Sequence, residues 1–382
     1  MRRKDWLAAS QRPSFHPLEH GELHRWRVTA RLHDGFIKWR GWFDDRADAD
    51  AFLFAMANGT LKYERALWDL PTPAWRPDIG PDVLYAVDTV VFLTSAGSLL
   101  SFTSPADWDN LHNTIEGLGA GGGGAVNTVS GTGGARHSTG AGAGAWGKIV
   151  NFAFAAPGTS TASYQIGALG LGGSQVSGNA QANGAAGGDT WFGASAFPST
   201  GAALGVRGGT GGTNNGNAGS ITASLGGQAA SCYVPGGLAY SGGQGGAVPT
   251  TATAYITSGG GGSAGKNGAG IASADSSSST TAGGNGDNNL GGAGGSTAGT
   301  NGSPGTEWDA SHGSGGGGGG KNTTGASPAG GDGGNYGAGG GGLVSQSTTG
   351  TPRGGNGAPG LLIITYTPVK FAGGFNNPML GM

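Results

Sequence analysis

Hydrophobic and polar residues alternate clearly near the start of this chain. In "RWRVTARL" (Arg25–Leu32), Trp26, Val28, Ala30 and Leu32 alternate with Arg25, Arg27, Thr29 and Arg31. That period of two predicts a half-buried strand. Asp34-Gly35 supplies hairpin residues that tolerate positive φ, and "FIKWRGWF" (Phe36–Phe43) returns as the partner strand. Asp44 and Asp45 are N-cap candidates for a short helix over "RADADAFLFAMA". That helix would group Phe52, Leu53 and Met56 and stop at Asn58-Gly59. "LPTPAWRP" reads as an extended connector and "VLYAVDTVVFLT" (Val83–Thr94) as a further strand. An α+β module over residues 1–97 is expected.

From Ser98 the pattern changes. "SLLSFTS", "WGKIVNFAFA", "ASYQIGALGLGG", "GDTWFGASAF" and "GAALGVRGGTGG" are strand candidates interrupted by glycine. Between about 208 and 357 almost nothing reads as helix or ordinary strand, and then "GLLIITYTP" (Gly360–Pro368) is a buried strand. A long glycine-rich insertion held in a β framework is expected over 98–368. The apolar tail 369–382 would be an extra strand or a docking peptide.

Composition sharpens this picture. Of 382 residues 87 are glycine, and only seven of those precede Leu118. Ordering some eighty glycines opposes folding by on the order of 100 kcal/mol. Disorder is the simple alternative, yet the glycine-rich part keeps Trp146, Phe152, Phe154, Trp191, Phe192, Trp308 and several tyrosines, which disordered chains avoid. One ordered structure demands glycine: left-handed helices of three residues per turn, packed side by side and bonded through their own amides. Runs such as "GGGGSAGKNGAG" and "GSGGGGGGKNTTG" would each span ~25–30 Å. Joined by Ser/Thr/Ala-rich links, they would make a stacked polyglycine-II sandwich with loops at its two ends, carried by a jelly-roll-like β framework.

Charge and cysteine exclude several classes. A formal charge of −2 gives no electrostatic case for nucleic acid or an anionic membrane, and no apolar run is long enough to span a bilayer. The basic start "MRRKDWLAASQRPSFHP" lacks an apolar segment, so no secretory signal is read. Cys232 stands alone, so neither an intramolecular disulfide nor a four-cysteine zinc site is available, and its expected role is packing. Gly260–Lys266 and Gly315–Lys321 match G-x-x-x-x-G-K, but Asn267 and Asn322 follow where Ser or Thr should be, and neither lies between a strand and a helix. "GGNGDNNLG" does not repeat in calcium-binding register. "DDRADAD" reads as helix-start acids, and His16, His20, His24 and His33 lack metal-ligand spacing. No metal and no cofactor are expected.

The ordered series "SFTSPADWDN", "GLGAGGGG", "SYQIGALGLGG", "GDTWFG", "GVRGGTGG" and "GGNGAPGLLIITY" resembles the glycine-rich domain of bacteriophage tail-fibre and other virion proteins. Its opening departs from that pattern, with "WDNLHNTIEG" in place of Trp-x-Val-Pro-x-Gly-Val. The N-terminal "DGFIKWRGWFDDRADADAF" and "LWDLPTPAW" look like tailed-phage structural sequences. The resemblance implies a non-enzymatic virion protein, assembled in the host cytoplasm and resident in the tail. Residues 1–97 would attach to other tail proteins, with Trp26, Trp39, Trp42, Trp68 and Trp75 as core or attachment candidates. Loops of the Gly-rich domain would contact a host polysaccharide or outer-membrane protein. Tyr240, Tyr255, Trp308, Asp309, His312 and Tyr336 are the receptor-contact candidates, chosen for rings and polar groups suited to sugar hydroxyls; an ordinary solvated loop is the bland reading of "EWDASH". A homotrimer would suit a fibre. The competing expectations are a decoration protein of capsid or tail, a depolymerase and an ice-binding protein.

Overall fold

A computed structural model describes residues 26–31, 37–43, 62–69, 74–77, 88–128, 136–174, 181–198, 202–215, 219–249, 255–323, 328–346 and 350–368. The chain divides into two units, Met1–Ala86 with Val369–Met382, and Val87–Pro368. The division thus falls before the position near 97 expected from sequence, because the strand after it pairs inside the second unit.

In the first unit the described residues form one antiparallel sheet. β1 (Trp26–Arg31), β2 (Ile37–Phe43), β3 (Lys62–Asp69) and β4 (Ala74–Pro77) lie in the order β2-β1-β3-β4. The α+β expectation is corrected here. Among the described residues the only helical elements are two 3-10 turns, Ala229–Ser231 and Asp287–Asn289, both in the second unit. The segment expected to be helical, the four N-terminal histidines and the tail 369–382 lie outside the described residues. The tryptophan candidates fall on strands: Trp26 opposes Phe43, Trp42 opposes Arg27, Trp39 opposes Ala30, and Trp68 opposes Trp75.

The second unit contains two antiparallel sheets enclosing an apolar core. One sheet has the order β16-β10-β7-β20-β5, built from β5 (Thr89–Leu93), β7 (Asn113–Leu118), β10 (Trp146–Val150), β16 (Leu238–Tyr240) and β20 (Leu361–Tyr366). The other has the order β14-β13-β11-β6, from β6 (Leu100–Thr103), β11 (Thr161–Gln165), β13 (Thr190–Phe192) and β14 (Leu204–Val206). Alternation on β7 and β20 sends Ile115, Leu362 and Ile364 into the core with Trp108, Phe154, Phe192, Leu204 and Val206. Cys232 packs against the edge of this core, where burial pushes its thiol up.

Glycine segments leave these strands and end in a second, smaller β layer. β7 continues through 119–125 into β8 (Val126–Thr128), and β9 (Arg136–Ser138) returns through 139–145 into β10. Likewise β12 (Gln181–Ala182) leads through 183–188 to β13, and β14 leads through 207–213 to β15 (Asn214–Asn215). β17 (Tyr255–Thr257), β18 (Lys321–Thr323) and β19 (Leu343–Ser345) complete the far layer. At ~3.1 Å per residue, seven-residue segments separate the two layers by ~22 Å.

The backbone bonds define these segments as rods. In 119–125, Gly119, Gly122 and Ala125 donate to Ala145, Gly142 and Thr139; Ala120 and Gly123 donate to Gly188 and Ala185; Gly121 and Gly124 donate to Ala358 and Gly355. Amides three apart therefore address the same neighbour, which requires three residues per turn. The carbonyls follow the same rule toward 167–173, 207–213 and 337–343. One rod is thus bonded to six others, and 139–145, 258–264, 314–320 and 337–342 are likewise surrounded by six. No glycine of 119–124 or 315–320 has positive φ, so glycine is required for another reason. A Cβ on Gly121 would meet the Ala338 carbonyl oxygen at 1.8 Å. Glycine is there because the neighbouring backbone occupies the side-chain position.

Candidate functional site

The outer face of the five-stranded sheet gathers five of the six receptor-contact candidates. Pairing aligns Phe92, Ile363, Glu116, Lys148 and Leu238 in one row across all five strands, with Leu361, Leu118, Trp146 and Tyr240 in the next. Trp308 and Tyr336 pack onto this face with Phe92 and Tyr240. Tyr240 stacks on Trp146, centroids 5.5 Å apart. His312 lies between two rings, stacked on Phe92 at 3.8 Å and on Tyr336 at 5.8 Å.

The loop 305–313 holds itself in place. The Asp309 carboxylate accepts from the Ser311 and His312 amides and from His312 Nδ1. Those backbone donors, first that of Ser311, keep its carboxyl below the usual range. Both Glu307 oxygens accept from the Ser314 amide, and Lys266 Nζ donates to the Glu307 carbonyl. Burial, together with the Asp287 carboxyl nearby, raises the Glu307 carboxyl. Asp287 itself is buried and accepts from the Asn267 and Gly268 amides.

Glu116 is the residue that pattern reading passed over. It is buried beside Lys148 in a mostly apolar face, and Trp146 Nε1 donates to its Oε2 at 3.1 Å. Burial raises its carboxyl, opposed by Lys148, the two indoles and Lys266. The Trp308 indole bears on the same carboxyl from outside hydrogen-bonding geometry. In "NTIEGL" Glu116 looks solvated; its partners lie 30 and 192 residues away, beyond intervening rods. The chemistry available on this face is anchoring. Trp308 is half-buried, His312 has a ring against each face, and the acids are engaged by the loop's own donors.

Tyr255 stands apart. It begins β17 in the far layer, opposite Arg136, and its carbonyl accepts from Asn322 Nδ2. The far layer also carries the amide side chains of Gln181, Asn183, Asn214 and Asn322, with Arg136 and Lys321 as its charged groups. Asn214 bonds Asn183 through both its backbone and side-chain nitrogens. Beneath them Asn127 and His137 are buried, with Asn127 Oδ1 and His137 Nε2 unpartnered.

Among the described residues no group of three or more His, Cys, Asp or Glu side chains could hold a metal ion. No described helix is long and apolar enough to cross a membrane. The phosphate-loop matches resolve into bundle geometry, since Gly260–Gly262 and Gly315–Gly320 lie within six-neighbour rods. No protein-family model matches the chain, and no curated protein matches it.

Proposed function

We propose that the protein is a bacteriophage tail-associated adhesin, non-enzymatic, that attaches to the virion through its N-terminal unit and contacts the host surface with the far end of its glycine bundle. One observation carries the reading: the bundle has a polarity. Both chain ends of the second unit emerge together, since Thr89 of β5 pairs with Tyr366 of β20. The rods then lead away from that point to a layer of short strands rich in amides and hydroxyls, with Arg136 and Lys321 as its two charged residues. The connections joining those strands, 129–135, 175–180, 216–218, 250–254, 324–327 and 347–349, contain no charged residue. Neutral groups of this kind suit weak, repeated contact with sugar hydroxyls, and several copies on one particle would supply avidity.

In this reading Tyr255, Asn214 and Asn322 face the receptor. Tyr240, Trp308, Asp309, His312 and Tyr336 fix the loop 305–313 to its sheet. The test compares host-cell adsorption of particles carrying the unaltered chain with particles carrying Tyr255→Ala, Asn214→Ala and Asn322→Ala together. Adsorption should drop at least about tenfold, the loss of ~1.4 kcal/mol, with the melting temperature of the purified chain unchanged. Adsorption at the original level with a correctly folded triple variant would refute the proposal.

A further inference from the structure

The five tryptophans on the strands of the first unit fall on two different faces of its sheet. Successive residues of a strand alternate between faces, and the pairing carries that alternation across β2-β1-β3-β4. One face takes Trp26, Val28, Trp39, Phe43, Tyr63 and Leu67, with Arg65, Asp69 and Arg76 as its charged positions. That mainly apolar set is the one a core requires. The other face takes Trp42, Trp68 and Trp75 together with four bases, Arg27, Arg31, Arg40 and Lys62. Glu64 is the one acid that the described strands place there. Lys38 falls in the register shift beside Ala30 and Arg31 and is assigned to neither face.

The register sets these residues in rows. Trp68 and Trp75 form a pair at one end. Trp42, Arg27, Ala66 and Pro77 make the next row, Arg40, Thr29 and Glu64 the third, and Arg31 and Lys62 the fourth. Rows on one face lie ~7 Å apart and adjacent strands ~4.8 Å, so the face measures ~14 Å across four strands and ~20 Å along β3. The four described strands hold seven bases and two acids, while Asp34, Asp44 and Asp45 belong to the connections. The nearly balanced charge of the whole chain therefore hides one basic face with indoles among its bases.

We propose that this face binds single-stranded nucleic acid. Its four bases would neutralise phosphates, and its indoles offer flat surfaces on which nucleobases of any sequence stack. The combination selects the ligand class. A carboxylate-rich protein surface would answer the four bases and leave three indoles without a flat partner. A duplex would answer them too, but it keeps its base faces stacked inside, whereas an unpaired strand can splay its bases onto aromatic rings. Four neutralised phosphates give a fall of log affinity with log salt of slope about −3, at ~0.7 per phosphate for a single strand. The inference depends neither on the tail reading nor on the receptor-facing layer.

Fluorescence anisotropy tests it, titrating the full chain into labelled oligo(dT) of about ten nucleotides between about 20 and about 200 mM salt. Parallel titrations use poly-glutamate and duplex DNA of similar length. The expected result is binding of oligo(dT) with the stated slope, and binding of the other two at least about tenfold weaker. Arg27→Gln and Arg40→Gln should each reduce the slope by about 0.7. Trp42→Leu should weaken oligo(dT) binding at least about fivefold and leave the slope unchanged. Arg65→Gln and Arg76→Gln, the same chemistry on the opposite face, should alter neither. Circular dichroism checks that each variant folds, and the affinity and slope of the unaltered chain are decisive without any variant. No binding of oligo(dT) at the lowest salt would overturn the proposal. So would poly-glutamate or duplex binding as tightly as oligo(dT), the former marking a docking face for an acidic protein, or an equal loss in the Arg65 and Arg76 variants. Host adsorption of the Tyr255 triple variant has no bearing on this outcome.

Discussion

Replacing Gly317 by Ala isolates what holds the bundle together. Gly317 does not have positive φ, so Ala can adopt its backbone conformation. On dihedral grounds alone the change should stabilise the protein by ~0.4–1 kcal/mol, through a less flexible unfolded chain. The packing predicts the opposite sign. The added Cβ would lie 2.1 Å from the Gly260 carbonyl oxygen, where carbon and oxygen normally approach to ~3.3–3.6 Å. The rods 314–320 and 258–264 must then part by about 1 Å. They are joined by Gly260 to Gly318 at 2.8 Å and Ser263 to Gly315 at 2.9 Å, and that separation breaks both bonds. Two buried bonds at ~1 kcal/mol each, with ~1–3 kcal/mol for overpacking, outweigh the entropic gain. The expected net loss is about 3 kcal/mol, a fall of roughly 5 °C in melting temperature for a unit of this size. Differential scanning calorimetry of Gly317→Ala beside Leu171→Ala, an outward position in another rod, measures it. A melting temperature for Gly317→Ala equal to or above the original would mean that the rods are not in backbone contact.

Three further outcomes follow from the outer face of the five-stranded sheet. Trp146→Phe removes the indole donor from the buried Glu116 carboxyl and should destabilise the protein by ~1–3 kcal/mol, readable by urea denaturation. Glu116 and Glu307 both have raised folded-state carboxyls, so the native state binds more protons than the unfolded chain; stability should rise as pH falls from above those raised values toward the ordinary 4.5. Glu116→Gln should flatten that slope in melting temperatures measured against pH, and an unchanged slope would contradict the assignment. Asp309 has the opposite sign, its contribution being lost as pH falls below 3.8; Asp309→Ala should speed exchange of the Ser311 and His312 amides while leaving the rods protected.

The strands of the β framework were legible because their apolar residues alternate or cluster. "GLLIITYTP" contains β20, "GDTWFG" contains β13 and "SYQIGALGLGG" opens on the end of β11. Strand ends were less so: "WGKIVNFAFA" yields β10 only to Val150, because Asn151 turns at positive φ and the Asn113 and Asn110 side chains then cap the Phe152 and Phe154 amides. The N-terminal helix expectation rested on local caps and a single apolar group, whereas the described residues around it form a sheet. The glycine region was expected to order over 208–357, yet rods already run through 119–125, 139–145, 167–173 and 183–188. Reading at period three separates their surroundings. "GALGLGG" (167–173) places glycine at every third residue on the inner side and leucine outside, while "GAGGGGA" (119–125) is small throughout because it is surrounded. The Glu116–Trp146–Trp308 contact had no local signal, since rod excursions separate its members in sequence.

Amide hydrogen exchange, resolved to single residues, tests the bundle most directly. The rod 119–125 should be protected at every residue, since each of its amides has a backbone partner. The outer rod 167–173 should show a three-residue rhythm, with Gly167, Gly170 and Gly173 slow and Ala168, Leu169 and Leu171 fast. Uniformly fast exchange in both segments, or an alternation of two, would contradict a bundle of glycine rods bonded through their own backbones.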